Sequence, residues 1–518
     1  MSKANGTPLK LGVERSAPAS RPPPISRPFK LAYGFGSMAE AVVYSSTTQF
    51  VMLFYNQVRG LSSAAVGLAI ASGLAVNAFI DPVVGSWSDR TRSRLGRRHP
   101  FMFAAILPVA LSFLAIFNPP IGLSGVQQLL WLAVFNILLQ QALTAFHTPH
   151  LAMGGELSKD YIERTRVMSY NTFFLWAGDT LCWLTTFGLF FRATRNFPNG
   201  ALDPTRYPIF SGTIATLVVV ILFTSAFGTR KRIPFLPRVP ATMGRFSARA
   251  FFSDVRHALA NRNYVVLLIS LFFLSMMQGV RGGLWIYTAT FFWQLTNAQI
   301  TWFAVGSFIS YSFGSVLVAW IHRRIDKRWT GMVAVAIYSI GPAVPLALGW
   351  LEILGPHTPG ILIILIAFSL LQHLPYSLMT TTLYSMLADI SDENELRFGE
   401  RQEGVLYSTQ TFFGRIDQAI GAALAGWALS LIAFPKNALP GHVAVPVLDG
   451  LAIVYIMSTV PGLIAAILYV RLNLSRVSYE RTRAGLRAAR CILEEDDRQA
   501  RPTRINGLDP IARSPTPL

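Results

Sequence analysis

Six ionisable side chains fall inside long apolar segments of the chain: Glu40, Asp81, Asp179, Arg281, Arg415 and Asp417. In hydrocarbon each costs about 2.5–3.5 kcal/mol at a helix centre unless it is paired or faces water, so residues of this kind mark ion pairs, proton relays or polar-ligand sites. Four acids and two bases cannot all form one-to-one pairs. At least one acid is left to titrate, to bind a cation or to hydrogen-bond a polar ligand. Purely structural pairing, or a position at the membrane interface, is the alternative for each one.

Helical spacing sorts these residues by face. Tyr33, Ser37, Glu40, Tyr44 and Thr48 recur every three or four residues, which predicts a polar stripe along one side of an apolar helix, lining a cavity. Asn77 and Asp81, four apart, share a side. Ser408, Thr411 and Arg415 share another, whereas Arg415 and Asp417, two apart, point in different directions and must each find a partner elsewhere. Gln278, Arg281 and Trp285 surround Gly282 and Gly283, where a helix either bends to present its arginine inward or packs closely against a neighbour. His147 and His150 flank Pro149 in FHTPHLAMGG; no Cys or carboxylate at ligand spacing accompanies them, so a cavity-lining role is expected and a metal site is not. No hydrolase elbow, Walker loop, HExxH or dinucleotide fingerprint stands in its required context, which argues against an enzyme and against a cofactor.

The elements that position these residues follow from composition. Of 518 residues, 52% are hydrophobic and only 14% charged, which is the composition of a membrane protein. Crossing the hydrocarbon core as a helix takes about 20 mostly apolar residues. Twelve such segments are present, at roughly 31–57, 64–87, 100–117, 126–152, 167–191, 208–228, 263–293, 300–321, 331–351, 359–388, 404–434 and 446–470. The formal charge of +19 does not indicate nucleic acid, because the bases follow the loops. Of the 45 Lys and Arg, 38 fall with the two tails and the even-to-odd loops, 5 with the opposite loops and 2 inside spans. From that bias both termini are expected in the cytoplasm; the expected location is the plasma (bacterial inner) membrane.

The longest internal loop follows the sixth span and divides the chain six plus six. Residues 1–28 are expected to be a disordered tail without a signal peptide, 29–228 a first six-helix bundle, 229–262 a linker, 263–471 a second bundle and 472–518 a C-terminal tail. The Arg-rich start of that last tail is compatible with a helix, lying on the membrane surface or solvated. With only Cys182 and Cys491, no disulfide framework is implied. The expected fold class is an all-α membrane protein of twelve transmembrane helices in two six-helix bundles, an arrangement that lets the bundles rock about a site at mid-membrane.

Three stretches carry a family resemblance. The run DPVVGSWSDRTRSRLGRR at 81–98 resembles the second-to-third-helix signature of the glycoside–pentoside–hexuronide cation symporters, the melibiose permease group of the major facilitator superfamily. GELSKDYIERTRVMSYN at 155–171 and SMLADISDENELRFGERQEGVLYSTQTFFGR at 385–415 are similar to its fourth-to-fifth and tenth-to-eleventh loops, and YGFG at 33–36 to the start of its first helix. The resemblance spans about 29–471. It implies an alternating-access transporter with a central sugar site and a cation site beside the second helix. On this resemblance Asp81 matches the acid before the family's proline, and Arg415 matches the basic residue joining the sugar and cation sites. Elsewhere the chain departs. The second cation-site acid falls on Asn77 and an asparagine on Ile80, which removes oxygen ligands from a sodium site. The first-helix acid falls on Ala41 beside Glu40, the fourth-helix acid on His147 and the fifth-helix arginine on Asn171.

The reading that follows is a secondary active transporter, working as a monomer among membrane lipids, that moves a sugar, glycoside or uronide together with H+ in preference to Na+. Glu40, Tyr44, His147, Asn171, Arg281, Thr411 and Arg415 are expected to meet the substrate; Asp81, with Asn77 and Arg415, is expected to take up the proton. Asp89, Arg92, Arg98, Asp160, Arg164, Asp389 and Asp392 are expected at a cytoplasmic gate, where bridges between loop arginines and the acids of later loops would hold that side closed. An uncoupled carrier, a carrier of an amphipathic lipid or other organic solute, and a non-transporting membrane sensor are the alternatives.

Overall fold

The computed structural model describes residues 25–157, 161–195, 197, 199–236, 255, 256, 258–398, 403–474, 477–482 and 484–488. The expected N-terminal tail up to 24, most of the linker, Asp160 and the last residues of the C-terminal tail lie outside them. Among the described residues there are fourteen α-helices: α1 Arg27–Leu53, α2 Ser63–Arg90, α3 His99–Phe117, α4 Gly125–Glu156, α5 Tyr161–Thr185, α6 Arg206–Thr229, α7 Arg262–Tyr287, α8 Asn297–His322, α9 Lys327–Ile340, α10 Ala343–Trp350, α11 Ile361–Phe398, α12 Glu403–Leu431, α13 Val445–Met457 and α14 Thr459–Val470. They form twelve spans.

The difference of two arises because the ninth and twelfth spans are broken. Between α9 and α10 lies Gly341–Pro342, and Pro461 stands at the third position of α14, just beyond Ser458. Proline has no N–H to continue the ladder, so carbonyls of the preceding turn lose their partners. The first, fifth and seventh spans end instead in π-turns, at Phe54–Val58, Thr186–Phe190 and Thr288–Phe292. Helix starts are set by local chemistry where the sequence supplies it: Ser124 with Gln127 and Thr296 with Gln299 form capping boxes at α4 and α8. The tenth span runs further than the apolar segment does. α11 carries on through Asp389, Asp392 and Glu395, because a helix leaving the hydrocarbon can keep its hydrogen bonds while its side chains turn to water.

Among the described residues nine helices are long and apolar enough to cross a membrane. α1 is not one of them, since Ser37, Glu40, Ser45, Ser46, Thr47, Thr48 and Gln49 lower its mean hydropathy. Leu68, Leu107, Leu111, Leu130 and Ile363 are exposed on the outer surface; in a membrane protein that is the lipid-facing side.

Packing repeats with a period of six spans. In the first half α1 lies against α5 and α6, α2 against α4, and α3 against α4 and α6; in the second half the seventh span lies against the eleventh and twelfth, the eighth against the tenth, and the ninth against the tenth and twelfth. The seam between halves obeys the same symmetry, with α2 along α12 and α5 against α8. Glycines let these backbones approach. A Cβ on Gly426 would run into the Ser63 carbonyl, and one on Gly421 would meet Gly279 Cα at 2.7 Å.

The two ends of the bundle differ. At the end away from the termini, hydrogen bonds cross the seam: Tyr287 donates to Asn56 Oδ1 (2.8 Å), Gln57 Nε2 to the Pro435 carbonyl (3.0 Å), the Ala438 amide to Gln57 Oε1 (2.9 Å) and Asn199 Nδ2 to Thr290 (3.1 Å). At the end that carries the termini, ion pairs bind each half to itself. Helical residues 477–482 and 484–488 of the C-terminal tail rest on the second half there, with Gly485 against Leu396 and Lys327 Nζ 5.2 Å from the Tyr479 ring.

Because overpacking costs about 1–3 kcal/mol, Gly426→Leu is expected to lower the thermal midpoint of the purified protein by several degrees. Gly212→Ala, where an added Cβ meets nothing within 4 Å, is expected to leave it unchanged.

Candidate functional site

The polar stripe of α1 divides in the structure. Tyr33 is buried and stacked on His150 with centroids 4.4 Å apart, and the Ser37 hydroxyl donates to Asn171 Oδ1, so this end of the stripe joins α1 to α4 and α5. His150 is buried too, bonded to the Tyr33 carbonyl at 2.8 Å. It does not line a cavity. Glu40 turns towards the fourth span, where its carboxylate meets His147 Nδ1 at 2.6 Å. Only from Tyr44 onward does the stripe face open space.

Four charged or ionisable groups then form one cluster. Arg415 Nε lies 3.6 Å from Asp81 Oδ2, joining α12 of the second half to α2 of the first. Arg415 is also close enough to act electrostatically on Glu40 and Tyr44, and Asp81 on His147. Thr144 of α4 completes the arrangement. Its single hydroxyl is within hydrogen-bonding distance of both Asp81 Oδ1 and Asn77 Oδ1, the latter at 2.9 Å. One hydroxyl proton serves one acceptor at a time. When Thr144 donates to the Asp81 carboxylate, the Asn77 amide, whose Nδ2 is buried without a partner among the described residues, is placed to turn over and donate to the Thr144 oxygen.

Above this cluster, away from the termini, lies a cavity of about 310 Å³ between the halves. Trp176, Asp179 and Trp183 of α5 form one wall, Tyr44 and Gln49 of α1 another, and Gln278, Arg281 and Trp285 of α7 face them. Trp183 and Trp285 meet across the seam at 4.8 Å in an edge-to-face arrangement, and Trp176 meets Tyr311 at 3.5 Å. Asp179 accepts from the Ser45 hydroxyl. Aromatic faces supply apolar contact area, and the interleaved amides, acid and guanidinium fix orientation, a combination usual in small-molecule sites.

Arg281 is 4% exposed, and its role is to brace the two broken spans. It donates to the Tyr338 and Ser339 carbonyls (3.2 and 2.6 Å) at the end of α9, and to Ser458 and Thr459 (3.1 and 2.9 Å) at the break between α13 and α14. α7 runs unbroken through Gly282 and Gly283; Gly283 makes room for Ala425 of α12, and Gly282 for Thr48 of α1. Among the described residues Asp417 does not meet the partner that its position two residues from Arg415 calls for. It is 1% exposed, and neither carboxylate oxygen has a hydrogen-bond partner among the described residues.

The expected substrate set is therefore split. Tyr44 and Arg281 line the cavity; Glu40, His147 and Arg415 sit in the charge cluster below it; Asn171 is engaged by Ser37; Thr411 is exposed on α12. Trp176 and Trp183 are not marked by sequence, and Asp179 is marked there only as an acid inside an apolar span, although the i, i+3, i+7 spacing of the three puts them on one helical face.

Arg98 and Asp389 of the expected gate pair within their own halves. Arg98 binds Asp89 (2.5 Å) and Glu156 (2.6 Å), and Arg97 binds Glu156 (2.7 Å), all within the first half. Asp389 binds Lys327 (2.5 Å) within the second. Arg92 is exposed and Asp392 is engaged in its own interactions; Asp160 and the side chain of Arg164 lie outside what is described.

Two repeated six-span halves enclosing a polar and aromatic cavity, with an ion pair across their seam, define a secondary transporter of the major facilitator type. The family model described as "MFS/sugar transport protein" matches residues 32–476, and the chain belongs to that family. It is 25% identical to the inner membrane symporter YicJ of Escherichia coli K12, over 77% of this chain and 82% of that protein. It is also 25% identical to the putative glycoside/cation symporter YagG of the same organism, over 88% and 93%. Among solved structures, a bacterial homologue of the human lysosomal transporter Spinster superposes with a TM-score of 0.61 at 12% identity, over 89% of this chain and 96% of that one.

Each buried carbonyl left without its donor costs about 1–3 kcal/mol. Arg281→Met is expected to lower the thermal midpoint markedly, and Arg281→Lys to recover only some of the loss, since one ammonium cannot reach both breaks. A midpoint unchanged in Arg281→Met would remove the bracing role.

Proposed function

We propose that this protein is a proton-coupled symporter that carries a sugar, glycoside or uronide by alternating access, with both termini in the cytoplasm and Asp81 as the coupling acid. The relative named as a putative glycoside/cation symporter supports the substrate class, and the Lys and Arg bias of the loops supports the orientation. The observation that carries the choice of proton is the Arg415–Asp81 contact: the other groups beside the acid are the neutral Thr144 and Asn77, and a sodium ion would have to share that carboxylate with a guanidinium. Protonating Asp81 removes the negative partner of Arg415.

Coupling follows if that event changes the relative stability of the two access states. With Asp81 ionised, the ion pair holds α2 against α12. With Asp81 neutral, Arg415 is freed toward Glu40 and the seam is held less tightly at that level. Substrate in the cavity contacts both halves, so it favours the rearrangement from the other direction. A ligand shifts such an equilibrium only by its differential affinity for the two states, and proton and substrate together are needed to move it.

Asp81→Asn is expected to abolish uptake driven by a pH gradient in proteoliposomes while preserving exchange of substrate down its own gradient. Accumulation at the wild-type level in Asp81→Asn would refute the coupling role.

A further inference from the structure

Beside the main cavity, and sharing Tyr44, Thr48, Gln278 and Gly282 with it, lies a second chamber of about 100 Å³ where α1, α2, α4, α7 and α12 converge. No lining residue of this chamber is charged. Its polar groups are amides from both halves: Gln140 of α4 and Asn136 of the same helix on one side, Gln418 of α12 and Gln278 of α7 on the other. Asn136 spends its NH2 on the Ala69 and Ile70 carbonyls (3.4 and 3.0 Å) and keeps its carbonyl oxygen. Gln140 and Gln418 have no hydrogen-bond partner among the described residues, and both face the chamber. Gly279, Gly282 and Gly283 form its wall on α7 without side chains.

A site of this composition selects by hydrogen-bond type. Each glutamine amide offers two donors and an acceptor, which matches a group that itself donates and accepts, as a hydroxyl does. A carboxylate or ammonium would enter without a counter-charge, at a cost that an uncharged amide cannot offset. The large chamber, by contrast, has tryptophan faces together with Asp179 and Arg281. We propose that the small chamber is a subsite for a neutral, hydroxyl-bearing end of the substrate, with Gln140 and Gln418 as its specificity residues. The transported molecule then has two units, a ring against the tryptophans and a hydroxylated second unit among the amides. This rests on the sugar-transport reading above and adds to it the division of the site. Because Gln140 and Gln418 come from opposite halves, a ligand bridging them also draws the halves together at that point.

The test uses the full-length purified protein, with ligand binding followed by quenching of its intrinsic tryptophan fluorescence and transport followed in proteoliposomes. The probes are a panel of free pentoses and hexoses, disaccharides and 4-nitrophenyl glycosides. Wild type is expected to bind a two-unit member of the panel at least tenfold more tightly than either component alone. Gln140→Met and Gln418→Met are each expected to weaken that ligand at least tenfold while leaving the monosaccharide within twofold. Neither amide has a partner to lose, so both variants should keep the wild-type thermal midpoint; Gln140→Asn, which retains the amide but shortens it, is expected to fall between. Monosaccharides binding as tightly as every two-unit probe, or methionine variants that leave two-unit affinity within twofold, would overturn the subsite and leave the chamber holding water alone, with sugar transport intact. Failure of every sugar to bind or cross would overturn the transport reading, and the subsite with it, and is distinct from those results.

Discussion

A guanidinium in hydrocarbon must have a counter-charge or a cage of acceptors, and the two arginines inside the spans satisfy that demand in different ways. Arg281 takes the cage, spending its donors on carbonyls and hydroxyls left over where two spans break. Arg415 takes the counter-charge, and it takes it from the other half of the molecule. The state of the Asp81 carboxylate and the meeting of the halves thereby share one contact.

The surrounding structure holds that contact in place. Gly67 and Gly426 bring α2 and α12 together on one side of it, and Gly279 and Gly421 bring α7 and α12 together on another. Hydrogen bonds at the end away from the termini close the seam beyond the cavity, while at the other end Arg98 and Lys327 are engaged within their own halves. The main cavity lies between these two regions. Its walls come from α1 and α5 of one half and α7 to α11 of the other, so the same seam that carries the charge contact also encloses the cavity.

Much of this was legible in the sequence, and the features that were not share a physical cause. Twelve spans follow from apolar length alone, and the S-x-x-Q and T-x-x-Q starts of α4 and α8 follow from capping chemistry. The breaks in the ninth and twelfth spans did not stand out, because a proline inside an apolar run is compatible with a kinked continuous helix as well as with a gap. Spacing said which residues of α1 share a face but not what that face meets: Tyr33 and Ser37 meet neighbouring helices and Tyr44 meets the cavity. Charge bias placed the loop arginines at one end without assigning partners, and the observed partners of Arg98 are acids of its own half. Asp81 and Arg415 were marked by their rarity and by resemblance to a family. Gln140 and Gln418 carry no pattern at all, since isolated amides in apolar spans acquire meaning only when tertiary structure brings them together from opposite halves.

The central claim is that the proton on Asp81 sets how tightly the halves meet. It is tested most directly by the distance between spin labels at Arg92 of the first half and Arg323 of the second, both exposed at the end bearing the termini, measured in acidic and alkaline buffer by pulsed electron resonance. The expected result is a distance distribution that shifts with pH in wild type and is fixed at the acidic form in Asp81→Asn. A wild-type distribution that ignores pH, or a pH-dependent shift that survives unchanged in Asp81→Asn, would contradict it.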